Sequence, residues 1–151
     1  MRSGLYAVVD GVEYPAWLNS EGLGIYLDHA GPRPDGWAWV TEYRSYRRVP
    51  PAQVTEAYRV STSAMLDDVL VAVDSVDALA HTALVRAVCP RYSSINDQDK
   101  PPPHPLLKPA PVSSYSIDWI GVIPWDRLTT ATEIVGKVDP TAGEVSYDNF
   151  T

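Results

Sequence analysis

Tyr46-Arg-Arg-Val-Pro-Pro-Ala-Gln-Val-Thr-Glu-Ala57 is the stretch that decides the fold. A strand that runs into Pro50 loses a ladder donor and has its φ fixed, so the chain must turn or lie at an edge there. Val54, four positions on, then returns the chain to an apolar environment. The same order recurs at Ile123-Pro-Trp-Asp-Arg-Leu-Thr-Thr-Ala131: branched aliphatic, Pro, two spacers, a polar residue, an aliphatic, Thr, a spacer and Ala. Two copies imply two β-rich halves, each leaving a sheet through the same strand–Pro–short-turn device.

Upstream of the first copy, Trp37, Trp39, Thr41 and Tyr43 alternate with Ala38, Val40, Glu42 and Arg44. That is the period of a half-buried strand, and it puts the two tryptophans on one face. Residues 5–9 and 12–18 flank Asp10-Gly11, the dipeptide favoured by a type I′ turn with φ > 0 at both centres. Pro15 inside the second of these strands predicts an edge or a bulge. Residues 19–22 read as a loop, 23–27 as a third strand, and 29–36 as a longer connection. Downstream, 58–62 reads as strand and 69–73 as a buried central strand. Residues 78–88 fit either a strand from Thr82 or a helix through Leu79, Leu84, Val85 and Val88, with the strand preferred. Residues 117–123 form a strand carrying Trp119, and 125–135 predicts a short helix, weakened by its threonines.

Residues 91–116 interrupt this rhythm with Pro101, Pro102, Pro103, Pro105, Pro109 and Pro111 and no sustained period. Loops of this length tend to be functional or disordered; the segment reads as an embedded interaction arm or as a floppy insertion. The tail, 139–151, is acidic and reads as frayed. The expectation is a single domain over 1–151, mainly β and α+β at most. It is an antiparallel meander or partly closed barrel of seven or eight short strands, with one or two short helices and a long Pro-rich loop.

Composition narrows the function. A net charge of −7 argues against nucleic acid, whose phosphates need clustered Lys and Arg, and against an anionic membrane surface. It suits a basic protein partner. The lone Cys89 excludes an internal disulfide and a zinc ribbon. It reads as a small buried residue at a strand end rather than as a thiol nucleophile. With no signal peptide or transmembrane stretch read in the sequence, a cytoplasmic protein is expected. Nine Tyr and five Trp against one Phe suit half-exposed faces and interfaces.

His29, His81 and His104 have no second ligand at a metal-binding spacing, and no triad is legible. No metal, cofactor or catalytic residue is therefore expected, and the chain is not read as an enzyme; His29 reads as an exposed loop residue. Gly22-Leu-Gly24 lacks the third glycine and the Lys-Ser/Thr pair of a phosphate loop and reads as a turn. Two patterns remain as partner-binding candidates. From Val60 to Val85 the acids Asp67, Asp68, Asp74 and Asp77 are accompanied by no Lys or Arg. A one-signed region of this kind steers a basic partner, although turns and strand ends favour Asp in any case. Trp37 and Trp39 belong either to the core or, if exposed, to a binding hot spot.

The opening Gly4-Leu-Tyr6-Ala…Gly11-Val-Glu13-Tyr14-Pro-Ala16 is followed by Tyr46-Arg-Arg-Val49-Pro50…Val54…Ala57-Tyr58-Arg-Val60-Ser-Thr62 and by Ile123-Pro124-Trp125-Asp126-Arg127-Leu128. Over most of residues 4–88 and 117–135 this pattern resembles small actinobacterial immunity proteins, antidotes to polymorphic or secreted toxins. The chain departs from that pattern at Asp67-Asp68-Val69 and in the 91–116 segment. The resemblance implies a cognate toxin as partner, a nuclease or an NAD-consuming, ADP-ribosylating enzyme, bound and occluded without chemistry. The rival reading is a β-barrel module holding a small ligand among Tyr6, Tyr14, Trp37 or Trp39, with His29 titrating; a structural subunit is the third.

Overall fold

The computed structural model describes residues 1–18, 25–139 and 147–148. The fold is mainly β and antiparallel, as expected, and the described residues form twelve strands and three short 3-10 turns rather than seven or eight strands. Within the span read as one domain, residues group into two compact units: Gly4–Val60 with the chain from Ile134 on, and Met1–Ser3 with Ser61–Glu133.

In the first unit β1 (Gly4–Val9) and β2 (Val12–Leu18) make the Asp10-Gly11 hairpin, with φ of 53° and 77° at the two turn residues. β3 (Ile25–Ala30) lies between β2 and β5 (Arg44–Val49), and β4 (Ala38–Thr41) pairs with β5 at the edge. The start of β6 (Glu56–Leu66) pairs with β1, which makes the order β4-β5-β3-β2-β1-β6. Pro15 sits where β2 changes partner: Val12 to Pro15 pair with β1, and pairing with β3 begins at Ala16. The absent N–H therefore removes no rung, as an edge position allows. Leu5, Ala7, Val9, Ile25, Leu27, Val49 and Ala57 form the core with Trp37.

The second unit continues with β7 (Val69–Asp77), β8 (Thr82–Ala87), β9 (Lys108–Pro111), β10 (Ile117–Pro124) and β11 (Leu128–Val138). Their order is β6-β7-β8-β10-β9, with β11 also pairing with β6. Ala64, Leu66, Val71, Val73, Ala83, Val85, Leu107, Ile117, Trp119 and Ile123 are among the residues of its own core. β12 (Tyr147–Asp148) pairs with the end of β11.

The two units repeat one topology. Strand for strand, β1 to β6 of the first correspond to β6 to β11 of the second, and the recurrent Pro motif is the joint in each. Pro50 and Pro124 have φ, ψ of −63°, 148° and −58°, 141°. Each leads into one 3-10 turn, Pro51–Gln53 or Trp125–Arg127, closed by the amide of Val54 or Leu128. The register agrees too: Val49 pairs with Ile25 as Ile123 pairs with Ala83. Trp37 and Leu107, each just before an edge strand, donate to the carbonyl three residues back, Pro34 at 3.2 Å and His104 at 3.0 Å. Even an ion pair recurs with its signs exchanged: Asp28 with Arg44 at 2.9 Å, and Arg86 with Asp118 at 4.0 Å.

Several local expectations are corrected. Residues 125–135 are not a helix; after the 3-10 turn they run in β11. Thr129, Thr130, Thr132, Ile134 and Val135 lose side-chain freedom in a helix and pack well on a pleated surface. The stretch from Trp37 to Arg44 is not one strand but two, joined at Glu42-Tyr43, with a register shift between Trp39 and Thr41. The preferred strand from Thr82 is present. Residues 91–116 contain a 3-10 turn, Ile95–Asp97, and β9. Cys89 is exposed rather than buried, on a bend with φ 50° just past β8. The loop read at 19–22, the 22–24 turn and, in the tail, residues 140–146 and 149–151 lie outside the described residues. Among the described residues no helix is long and apolar enough to cross a membrane.

Candidate interaction surface

β2, β3 and β5 turn Ala16, Leu18, Ile25, Leu27 and Val49 toward the first unit's core. Side-chain parity therefore sends Trp17, Tyr26 and Tyr46 to the opposite face. There the rings gather: Trp17 and Tyr26 are parallel at 5.2 Å, and Tyr46 lies 5.8 Å from Tyr26 and 6.3 Å from Trp17. Cross-strand pairing of Trp17 with Tyr26 sets the stack. At its rim Arg44 makes a two-point contact with the Asp28 carboxylate, at 2.9 and 3.3 Å. Trp17 is 37 % exposed and both tyrosines are half-buried. The cluster thus presents apolar ring edges and phenol groups on a rigid sheet face, a composition typical of binding hot spots.

No sequence signal marks these three residues as a site. Their parity was legible in the strand pattern, but their convergence depends on cross-strand register.

The predicted tryptophan pair separates. Trp37 is 6 % exposed and packs against Tyr14 at 5.4 Å and His29 at 5.7 Å, so it offers no surface to a partner. Trp39 is 57 % exposed, with the Arg33 guanidinium 4.7 Å from its ring centre. Arg33 also donates to the Trp37 carbonyl at 2.8 Å, which anchors the cation over the ring. Of the residues proposed to line a ligand site, Tyr14, Trp37 and His29 do meet, ring against ring. His29 lies on β3, not in a loop.

The four acids are one-signed in sequence but not in space. Asp74 pairs with Arg86 at 3.3 Å. Asp77 accepts the amides of Leu79 and Ala80, both at 3.0 Å, and so shapes its turn. Asp67 accepts from His104 at 2.7 Å and lies 3.5 Å from Arg127. Asp68 is exposed in the β6–β7 turn. Three of the four thus have partners within the unit, and those of Asp74 and Asp67 come from outside the acidic stretch of sequence.

His104, 7 % exposed, has both ring nitrogens engaged. Its Nδ1 accepts the Leu106 amide at 3.0 Å, which leaves the proton on Nε2 to donate to Asp67. This is a lock, holding the Pro-rich segment to the β6–β7 turn, rather than a proton-transfer pair. The hydrogen bond from His104, opposed by desolvation and aided by Arg127, holds the Asp67 carboxyl below its ordinary value near 3.8. A depressed carboxylate contributes stability that is complete above the ordinary value and lost as pH falls through the folded one. Asp67→Asn tolerates the same φ of 53° while removing the charge. The Tm gap between wild type and this variant should be largest at neutral pH and narrow as pH falls below the ordinary carboxylate value of 3.8. A gap that stays constant across the acid range would show that the charge of Asp67 does not hold the lock.

Among the described residues no three metal-ligating side chains gather. Comparison with known protein families, with curated proteins and with solved structures finds no match for this chain.

Proposed function

We propose that this protein is an immunity protein that binds a cognate toxin domain and occludes its active site, with the Trp17–Tyr26–Tyr46 face as the contact. The exposed ring cluster carries the reading. Three large amphipathic side chains on a rigid face lose little conformational freedom on binding and bury substantial apolar area. The net charge of −7 favours encounter with a basic nuclease, and the resemblance in the strand–Pro pattern supplies the toxin class. Trp39 pairs with Ser45 rather than Tyr46 and so faces away from this cluster, and Asp68 belongs to the second unit.

The test begins with capture of the partner by the tagged protein, followed by expression of that partner in a naive cell. The partner should kill alone and be harmless with this chain. Trp17→Ala and Tyr46→Ala should each weaken binding by about 10- to 100-fold, the range of hot-spot truncations, without unfolding the unit. Asp68→Ala should leave affinity within about threefold. A captured protein without toxicity, or a Trp17/Tyr46 double variant that protects as well as wild type at equal abundance, would end this reading.

One observation favours a second reading, a small-ligand module. A groove of about 360 Å³ in the first unit is lined by Val54, Glu56, Tyr58, Val135, Lys137 and Val138 among others. Retention of a small molecule by the purified chain, released on Tyr58→Ala, would favour it.

A further inference from the structure

The Pro-rich segment of the second unit is pinned at both ends. At its start the Trp119 indole N–H donates to the Tyr92 carbonyl, Ile117 donates to Ser93, and Ile95 donates to Tyr115. Ser94 and Asp97 then make a reciprocal cap on the 3-10 turn. At its far end the His104–Asp67 bond and the buried Leu107 hold it, and the Leu106 carbonyl lies against Gly121. The segment is thus held at both ends. Between the anchors, Pro101, Pro102 and Pro103 face Tyr92 and Trp119 across a groove of about 240 Å³, with Arg91 at its rim. Proline fixes the backbone of that wall, so ordering it on binding costs little.

The charge around Tyr92 is the informative feature. Arg91 and Lys100 both lie over the Tyr92 ring, at 5.4 and 5.7 Å from its centre. Neither has an ion-pair partner among the described residues, in a chain with 19 acids and 12 lysines and arginines. Each of these cations is thus free to pair with an incoming carboxylate. Of the nearby acids, Asp97 accepts the Ser94 amide, Asp118 faces Arg86, and Asp99, beside Lys100 in sequence, forms no ion pair among the described residues. The cavity is smaller than the roughly 300–1,000 Å³ usual for small-molecule pockets and suits a single side chain.

We propose that the arm is a preorganised docking groove for an acidic peptide segment, which places one apolar side chain between the Pro101–Pro103 wall and Tyr92 and a flanking carboxylate between Arg91 and Lys100. The groove belongs to the second unit and to residues the antidote reading does not use, so either can fail without the other.

The test uses the full ¹⁵N-labelled chain and three probes: acetyl-Glu-Phe-Glu-Phe-Glu-amide, its Lys-for-Glu counterpart, and free phenylacetate. The acidic peptide should shift the Tyr92 amide and Trp119 indole resonances saturably. That binding should weaken at least tenfold in the Arg91→Gln/Lys100→Gln variant, whose replaced side chains are exposed. It should also weaken as salt rises from about 0.05 to about 0.5 M. The basic peptide should produce no shift there. Three results would overturn the proposal: no saturable shift with the acidic peptide, equal binding of the basic one, or binding unaffected by the double variant. Saturation by phenylacetate with no gain from the peptide would also overturn it, since the groove would then take a free carboxylate.

Discussion

Trp119→Ala is expected to cost about 3–5 kcal/mol of stability, the range for removing a large aromatic from a core. Trp119 is 1 % exposed and lies on β10 among Ile117, Ile123 and the other apolar residues of the second unit. Its removal leaves a void that a sheet paired on both sides of β10 cannot close. It also removes the donor that fixes the Tyr92 carbonyl, and so releases the near end of the Pro-rich arm. Thermal unfolding should show Tm falling by on the order of 10 °C, with loss of the ring-current shifts around Tyr92. The contrast is Trp39→Ala, an exposed site at which a change within about 0.5 kcal/mol is expected. If both variants lost the same small amount of stability, Trp119 would not be a core residue and the packing of the second unit described above would be wrong.

Gly121→Ala should be nearly as severe, although it adds a single methyl group. A Cβ at Gly121 would sit 2.5 Å from the Leu106 carbonyl oxygen and 3.2 Å from a Leu107 methyl. The first of these is a backbone atom in a segment that cannot step aside. The Leu107 amide donates to His104 at 3.0 Å, and the His104 ring is held by Asp67 at 2.7 Å. Relief requires shifting the arm off β10, and overpacking of this kind costs about 2–3 kcal/mol. The shift should break the lock, so the His104 ring resonances should move in parallel with the loss of Tm. At the corresponding position of the first unit, before Ile-Pro or Val-Pro by two, stands Arg47. Close approach of a crossing segment is thus a property of the second unit. A Gly121→Ala protein with unchanged Tm and His104 signals would show that the arm is not seated where described.

What the sequence determined by itself was local. The Asp10-Gly11 hairpin, the turn at Pro50, its echo at Pro124 and the strand from Thr82 all follow from residues within a few positions of one another. Backbone restrictions on Pro and Gly and the alternation of side chains act at that range. The echo reached further: two short matching strings marked the joints of two topologically equivalent units, because the turn chemistry at each joint is the same.

Whatever depended on which strand lies beside which was decided only by the tertiary structure. Alternation puts both tryptophans on a single face, but Trp37, just before β4, is covered by Tyr14 and His29, whereas Trp39 stands exposed on the edge strand. The threonine-rich stretch after Trp125 is strand because it pairs with β6, and pairing outweighs a weak helical preference. Asp74 meets Arg86 and Asp67 meets His104 and Arg127, and His104 lies 37 positions from Asp67. Trp17, Tyr26 and Tyr46 become one surface only when β2, β3 and β5 align. Short-range chemistry is written in neighbouring residues, whereas burial, ion pairing and the assembly of a surface depend on register between distant strands, which no local window of sequence contains.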